Sequence, residues 1–264
     1  MNCLHASALA AVLAVGILFA PVMAKAQPKD KWVIGVLGLD SRPADFLDAF
    51  RETLRERGYL EGRNVTFQER WADSHSARLD ELAVDLVRLK VDVIIVDGTL
   101  AALTAKRATR EIPIVFPVAA DPIGNGLVAS LARPGGNATG LSVMVQELYP
   151  KRFELIRQMF PEVGRIALLT NLGNPGTVSA TKAAEDAARS LKIDLRVFDA
   201  RRQDEIEPAF AEMAKQRVGV LIITANGVFN SQLPRLFALT MKYRLPTMLA
   251  AISKHKDFLI EFGV

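Results

Sequence analysis

Short, uninterrupted runs of aliphatic residues recur along this chain, and they constrain its fold more than any other feature. Val93-Ile94-Ile95-Val96 and Val220-Leu221-Ile222-Ile223 contain no polar side chain that could face water. A strand of this kind must be covered on both faces, as in a parallel sheet flanked by helices. Related runs predict strands at Trp32–Val36, Val65–Arg70, Ile112–Val118 and Thr139–Val143, then at Arg165–Thr170, Asp194–Phe198 and Pro246–Ala250. The segments between them carry helical spacing: Leu79, Leu82, Ala83 and Leu86 share one face, and so do Ala180, Ala184, Ala187 and Leu191. Strand and helix alternate at roughly one unit per 26 residues, which predicts an α/β chain of doubly wound parallel sheets.

Two such sheets are expected. The turn-forming Pro134-Gly135-Gly136-Asn137 and the fresh start at Tyr149-Pro150 place a boundary between an N-terminal lobe, residues 27–143, and a C-terminal lobe, residues 144–264. Residues 1–26 read as a secretory signal. Ala8 to Ala20 is uncharged, Pro21 ends the run, and Ala24-Lys25-Ala26 supplies the small-x-small cleavage pattern. The run is about 13 residues, short of the ~20 that span a bilayer. Cleavage would remove one charged residue, Lys25, and lower the formal net charge of +4 by one. A periplasmic location is therefore expected.

Several function classes are disfavoured. The sole cysteine, Cys3, lies inside the signal, so the mature chain has no disulfide, thiol nucleophile or thiolate metal site. Basic and acidic residues are interleaved, without a block suited to nucleic acid. Neither a Gly-x-Ser-x-Gly elbow nor a Gly-Lys-Ser/Thr phosphate loop is present. Gly124, Gly126 and Ala129 form a Gly-x-Gly-x-x-Ala pattern, but Asp121-Pro122 separates it from the preceding strand, which argues against a dinucleotide site. An enzyme would have to pair Asp121 with His75 or Lys254, a combination supported by no catalytic spacing. No catalytic residue, metal or cofactor is expected.

In open α/β sheets ligands bind beyond the carboxyl ends of strands. Gly98-Thr99 follows one such strand; the hydroxyl and free N–H groups could receive a carboxylate, or Thr99 could simply cap its helix. Asp121, before Pro122, could pair with an ammonium or could bond its own turn. Asn171, in the stretch Asn171–Thr177, and Asn226, before Gly227, are either amide donors to a polar ligand or turn residues.

The segment Val118–Gly140, VAADPIGNGLVASLARPGGNATG, resembles the ADPVGxGLVxSLARPGGNxTG stretch of a bacterial family of ABC transporter substrate-binding proteins, some of which bind tryptophan and other large apolar amino acids. Arg57–Asn64 (RGYLEGRN), Arg70-Trp71-Ala72, and Arg107-Ala108-Thr109 with Ile112–Val115 also match. The resemblance implies a type I periplasmic binding fold whose two lobes close on a small-molecule ligand, with an ABC permease in the inner membrane as partner and a monomeric receptor. It implies ligand contacts for Thr99 and Asp121, and for Gly98 and Asn171. The same fold also serves ligand-sensing modules.

Two departures stand out. Relatives often carry an Asp where this chain has Asn226. The segment Ala250–Asp257 also lacks the family's aromatic and Glu-bearing pattern. Relatives continue beyond the Phe262-Gly263 match, so a C-terminally truncated form, less stable for bare apolar sheet surface, is expected.

Overall fold

A computed structural model of the chain describes residues 31–40, 44–143, 145–250 and 260–261. The predicted signal segment, most of the Ala250–Asp257 departure, and His255 and Lys254 lie outside those residues.

Strands and helices alternate as the apolar runs require. The first half holds β1 (Trp32–Gly38), α1 (Ala44–Glu56), β2 (Val65–Trp71), α2 (Leu79–Arg88), β3 (Val93–Asp97), α3 (Gly98–Ala108), β4 (Ile114–Ala120) and β5 (Ala138–Val143). The second half holds α4 (Tyr149–Met159), β6 (Arg165–Thr170), α5 (Pro175–Ser190), β7 (Asp194–Asp199), α6 (Ile206–Lys215), β8 (Val220–Thr224), α7 (Gly227–Asn230), α8 (Leu233–Tyr243), β9 (Thr247–Ala250) and β10 (Ile260–Glu261).

Each half builds its own five-stranded parallel sheet. The orders are β2-β1-β3-β4-β5 and, read in the same sense, β7-β6-β8-β9-β10. The two halves therefore repeat one winding. In each, the first strand lies second from one edge, and chain direction across the sheet reverses between the first and third strands. That reversal opens a crevice at the carboxyl ends of those two strands.

The cores explain why the runs are strands. On one face of the first sheet, Leu37, Ile94, Val96 and Ile114 pack with Leu79, Ala83 and Leu86 of α2 and Ala101, Ala102 and Ala105 of α3. On the other face Ile34, Val65 and Ile95 meet Phe50 and Leu54 of α1. The second sheet is sandwiched in the same way, with Leu169, Leu221 and Ile223 against α6 and α8 and with Ile166, Leu168, Val220 and Ile222 against α4 and α5. Pro117, inside β4, cannot donate to a ladder. The β4–β5 register shifts between Phe116 and Ala119, around that residue.

One residue of the second core is out of character. Arg152 on α4 is completely buried, and among the described residues its Nε, Nη1 and Nη2 have no carboxylate or carbonyl partner; the Tyr149 side chain is its polar neighbour. Its guanidinium stacks 5.0 Å from the centroid of the Tyr149 ring. Burial pulls its pKa below the usual arginine value.

Candidate binding cleft

The two crevices face each other. Four connections converge on one cavity of about 220 Å³: β1 to α1, β3 to α3, β6 to α5 and β8 to α7. They contribute Leu39 and Asp40, Asp97 to Leu100, Asn174, Gly176 and Thr177, and Thr224 to Gly227. Val118, Val143 and Val145 add apolar wall, and Tyr149 lines the side nearest α4. The size falls below the ~300–1,000 Å³ of drug-sized ligand pockets, so the space suits a small solute.

Three close contacts hold the halves together around this space. An ideal Cβ placed on Gly176, in the first turn of α5, would lie 2.8 Å from Thr99 Oγ1 of α3. A Cβ on Gly227 would lie 1.1 Å from Asp40 Oδ2. At both glycines a side chain would force Thr99 or Asp40 of the opposite half to move. The third contact is a hydrogen bond of 3.3 Å from Asn125 Nδ2 to Ser179 Oγ on α5.

Of the residues singled out from sequence, Gly98, Thr99 and Asn226 line the cavity. Gly98 takes φ +83°, which lets β3 turn directly into α3. Thr99 is buried, and its Oγ1 accepts the Ala120 N–H at 3.0 Å, tying α3 to the end of β4. Asn226 caps α7: its Oδ1 accepts the Phe229 N–H at 3.3 Å. Its Nδ2 is buried without a partner, leaving a donor directed at no protein acceptor.

Asp121 and Asn171 are placed elsewhere. Asp121 adopts φ +44° and its Oδ1 accepts the Gly124 N–H at 2.9 Å. It faces an open depression beside Leu172, Gly173 and Lys182 rather than the central cavity. Asn171 is buried; its Oδ1 accepts the Gly173 N–H, and its carbonyl accepts the Thr177 hydroxyl. These bonds shape the β6–α5 connection and present the next amide, Asn174, to the cavity, where it caps α5.

The Val118–Gly140 stretch acts mainly as scaffold. Asn125 Nδ2 donates to the Ala120 and Asp121 carbonyls, Lys106 Nζ donates to the Gly126 and Leu127 carbonyls, and Leu127 and Val128 insert into the first core.

Sequence reasoning missed the two residues that dominate the cleft's electrostatics, Asp40 and Asp97. Asp40 accepts a 2.9 Å hydrogen bond from Ser74 Oγ. Asp97 stands at the N-cap of α3 but makes no capping hydrogen bond; its side chain opens onto the cavity. Burial raises the pKa of Asp40 above its usual 3.8, with the Ser74 bond opposing, and burial together with the charge of Asp40 raises that of Asp97. Tyr149 is pushed up to about 12 by burial, so its hydroxyl stays protonated at neutral pH.

The carboxylate shifts have a measurable consequence. A carboxyl whose pKa is raised by folding binds its proton more tightly folded than unfolded, so stability falls as pH rises through the raised value. Carboxylates held low by basic partners, such as Asp85 beside Arg70, act instead below 4.5. Above pH 4.5 the ligand-free protein should therefore lose stability as pH rises through the raised carboxyl values, and Asp40→Asn should flatten that slope. Urea midpoints across the range check this; a slope unchanged in the variant would count against it.

Comparison with known proteins decides the family. Residues 33–257 match the ABC transporter substrate binding protein family. The chain belongs to that family. A structure of a conserved domain protein from Vibrio cholerae is 28% identical, with a TM-score of 0.74 over 84% of this chain and 74% of that one. The ABC domain from Streptococcus pneumonia in complex with L-Trp is 24% identical, with a TM-score of 0.73 and the same coverage. Among curated proteins, the tyrosine-binding protein of Clostridioides difficile is 25% identical over 226 residues, which are 84% of this chain and 64% of that relative's length. The sequence-based resemblance and the two-sheet α/β architecture are thus borne out. No helix among the described residues is long and apolar enough to cross a membrane.

Proposed function

We propose that this chain is the solute-receiving component of an ABC import system. In this reading residues 1–26 direct export, and lobes 27–143 and 144–264 act as a monomer in the periplasm. The lobes enclose a small organic solute that carries an amino group and an apolar portion, and present it to the permease.

One observation carries the reading: the crevices of two identically wound sheets meet at a single cavity with opposite recognition chemistry on its walls. Asp40 and Asp97 accept a cationic group. The N–H groups at the start of α3, by Gly98 and Thr99, and the free Asn226 Nδ2 donate to an acceptor such as a carboxylate. Val118, Val143 and Tyr149 receive the apolar part. Asp121 and Asn171 support the site from outside its lining. The tyrosine- and tryptophan-binding relatives favour an amino-acid-like ligand.

A ligand bound only by the folded state raises stability by RT ln(1 + [L]/Kd), about 2.7 kcal/mol at a hundredfold excess over Kd. A thermal-shift panel of L-amino acids and small amines should yield a saturable rise in the melting midpoint for at least one of them. A cooperative melt unmoved by every member would overturn the proposal.

A further inference from the structure

The cavity's charge is one-sided. Among the described residues its charged lining consists of Asp40 and Asp97, with no lysine, arginine or histidine. The Ser74 hydroxyl touches one carboxylate, and neither is in an ion pair among the described residues. A neutral amino acid brings as much negative charge as positive, so it leaves the formal charge of the described lining unchanged. A second cationic group on the ligand changes that balance. Asp97 is exposed at the mouth of the ligand-free cleft, so this imbalance weighs on affinity once a bound ligand displaces the water around it.

The acidic pair is not alone. Asn226 is 7% exposed, lines the same cavity, and holds its Nδ2 buried without an acceptor. A site that leaves a buried donor unsatisfied when empty is completed by a ligand acceptor. The required ligand thus has cationic groups for Asp40 and Asp97 and an oxygen for Asn226.

Resting on the receptor reading above, we propose that this cleft selects net-cationic amines, basic amino acids above all, over the neutral amino acids. Asp97 is the principal counter-charge, because Asp40 is already engaged by Ser74 and pressed against Gly227. An α-amino acid whose side chain ends in an ammonium or guanidinium fits both halves of the description: its carboxylate meets the α3 N-terminus and Asn226, and its two cations meet the two carboxylates.

The test is titration calorimetry on the full chain with L-lysine, L-arginine, 1,4-diaminobutane, L-leucine, L-tyrosine and L-glutamate, repeated on Asp97→Asn. Asp97 has no hydrogen bond among the described residues that this replacement would break. L-lysine or L-arginine should bind at least about tenfold more tightly than L-leucine or L-tyrosine, and Asp97→Asn should remove most of that preference. If L-leucine or L-tyrosine binds as tightly as the cationic probes, the charge assignment is overturned while the receptor reading stands. A preference for cations that survives in Asp97→Asn also overturns the assignment of Asp97. Absence of binding by all six to a cooperatively melting protein overturns this inference and weakens the receptor reading with it.

Discussion

Replacing Arg152 with methionine should stabilise the protein by roughly 1–4 kcal/mol, the range seen when buried ionic groups give way to apolar ones of similar volume. Arg152 has no accessible surface, and among the described residues its guanidinium has no carboxylate or carbonyl partner, only the Tyr149 side chain beside it. Around it on α4 are Tyr149, Phe153 and Ile156, which pack in the second core. The contact with the Tyr149 ring recovers part of the desolvation cost, on the order of 2 kcal/mol for a desolvated cation–π pair. A buried cation without a counter-charge loses more than that. Nor does pH relieve the cost: burial lowers the pKa, but the guanidinium remains charged through the range in which proteins are handled. Urea unfolding of the two forms measures the difference. A destabilisation of about 3–5 kcal/mol would instead reveal that Arg152 is engaged by an anion in solution, since breaking a buried pair costs about that much.

The fold was legible because its signals are local. Four consecutive aliphatic residues at Val93–Val96 and at Val220–Ile223 fit few environments other than a covered strand, and both lie in central strands. The strand at Arg165–Thr170 has the predicted bounds, and others differ by a residue or two at their ends, where hydrogen bonding rather than apolarity decides the limit. The cleft was only half legible. Gly98-Thr99 and Asn226-Gly227 were found because a glycine beside a capping residue after an apolar run marks a strand-to-helix turn.

Asp40 and Asp97 escaped because each reads as an ordinary polar terminus, and their pairing depends on strand order, which local pattern does not contain. The signal that could have found them is topological. Once β1 and β3 are neighbours with Gly38 opposite Asp97, the residues just after β1 and at the end of β3 must share one crevice. Asp121 follows a strand too, but β4 lies one position outside that reversal, and the Asp121 carboxylate closes a turn on Gly124. Arg152 was hidden for the opposite reason. A single arginine on an amphipathic helix is normally solvated, and only tertiary packing shows that this one points inward.

Gly227→Ala should weaken ligand binding by about a hundredfold while leaving the unfolding transition of each lobe close to wild type. The added methyl would sit 1.1 Å from Asp40 Oδ2 and 2.0 Å from Asp40 Cγ, distances no pair of non-bonded atoms tolerates. Gly227 opens α7 in the second half, and Asp40 follows β1 in the first, so the clash falls between the halves rather than inside either core. Two responses are open to the protein. The halves can separate, which opens the cavity and forfeits the desolvation that strengthens its polar contacts. Alternatively Asp40 can rotate away, which breaks its hydrogen bond to Ser74 and removes a counter-charge from the site. Either response lowers affinity, and a double-mutant cycle separates them. If the clash itself is at fault, Asp40→Ala in the Gly227→Ala background should recover affinity to the level of Asp40→Ala alone, giving a strongly non-additive cycle. Additive losses would show that Gly227 and Asp40 act independently in solution and that the halves do not meet at this point when ligand is bound. Calorimetric titration with the tightest ligand from the thermal-shift panel supplies the affinities, and urea unfolding of all three variants establishes that they remain folded.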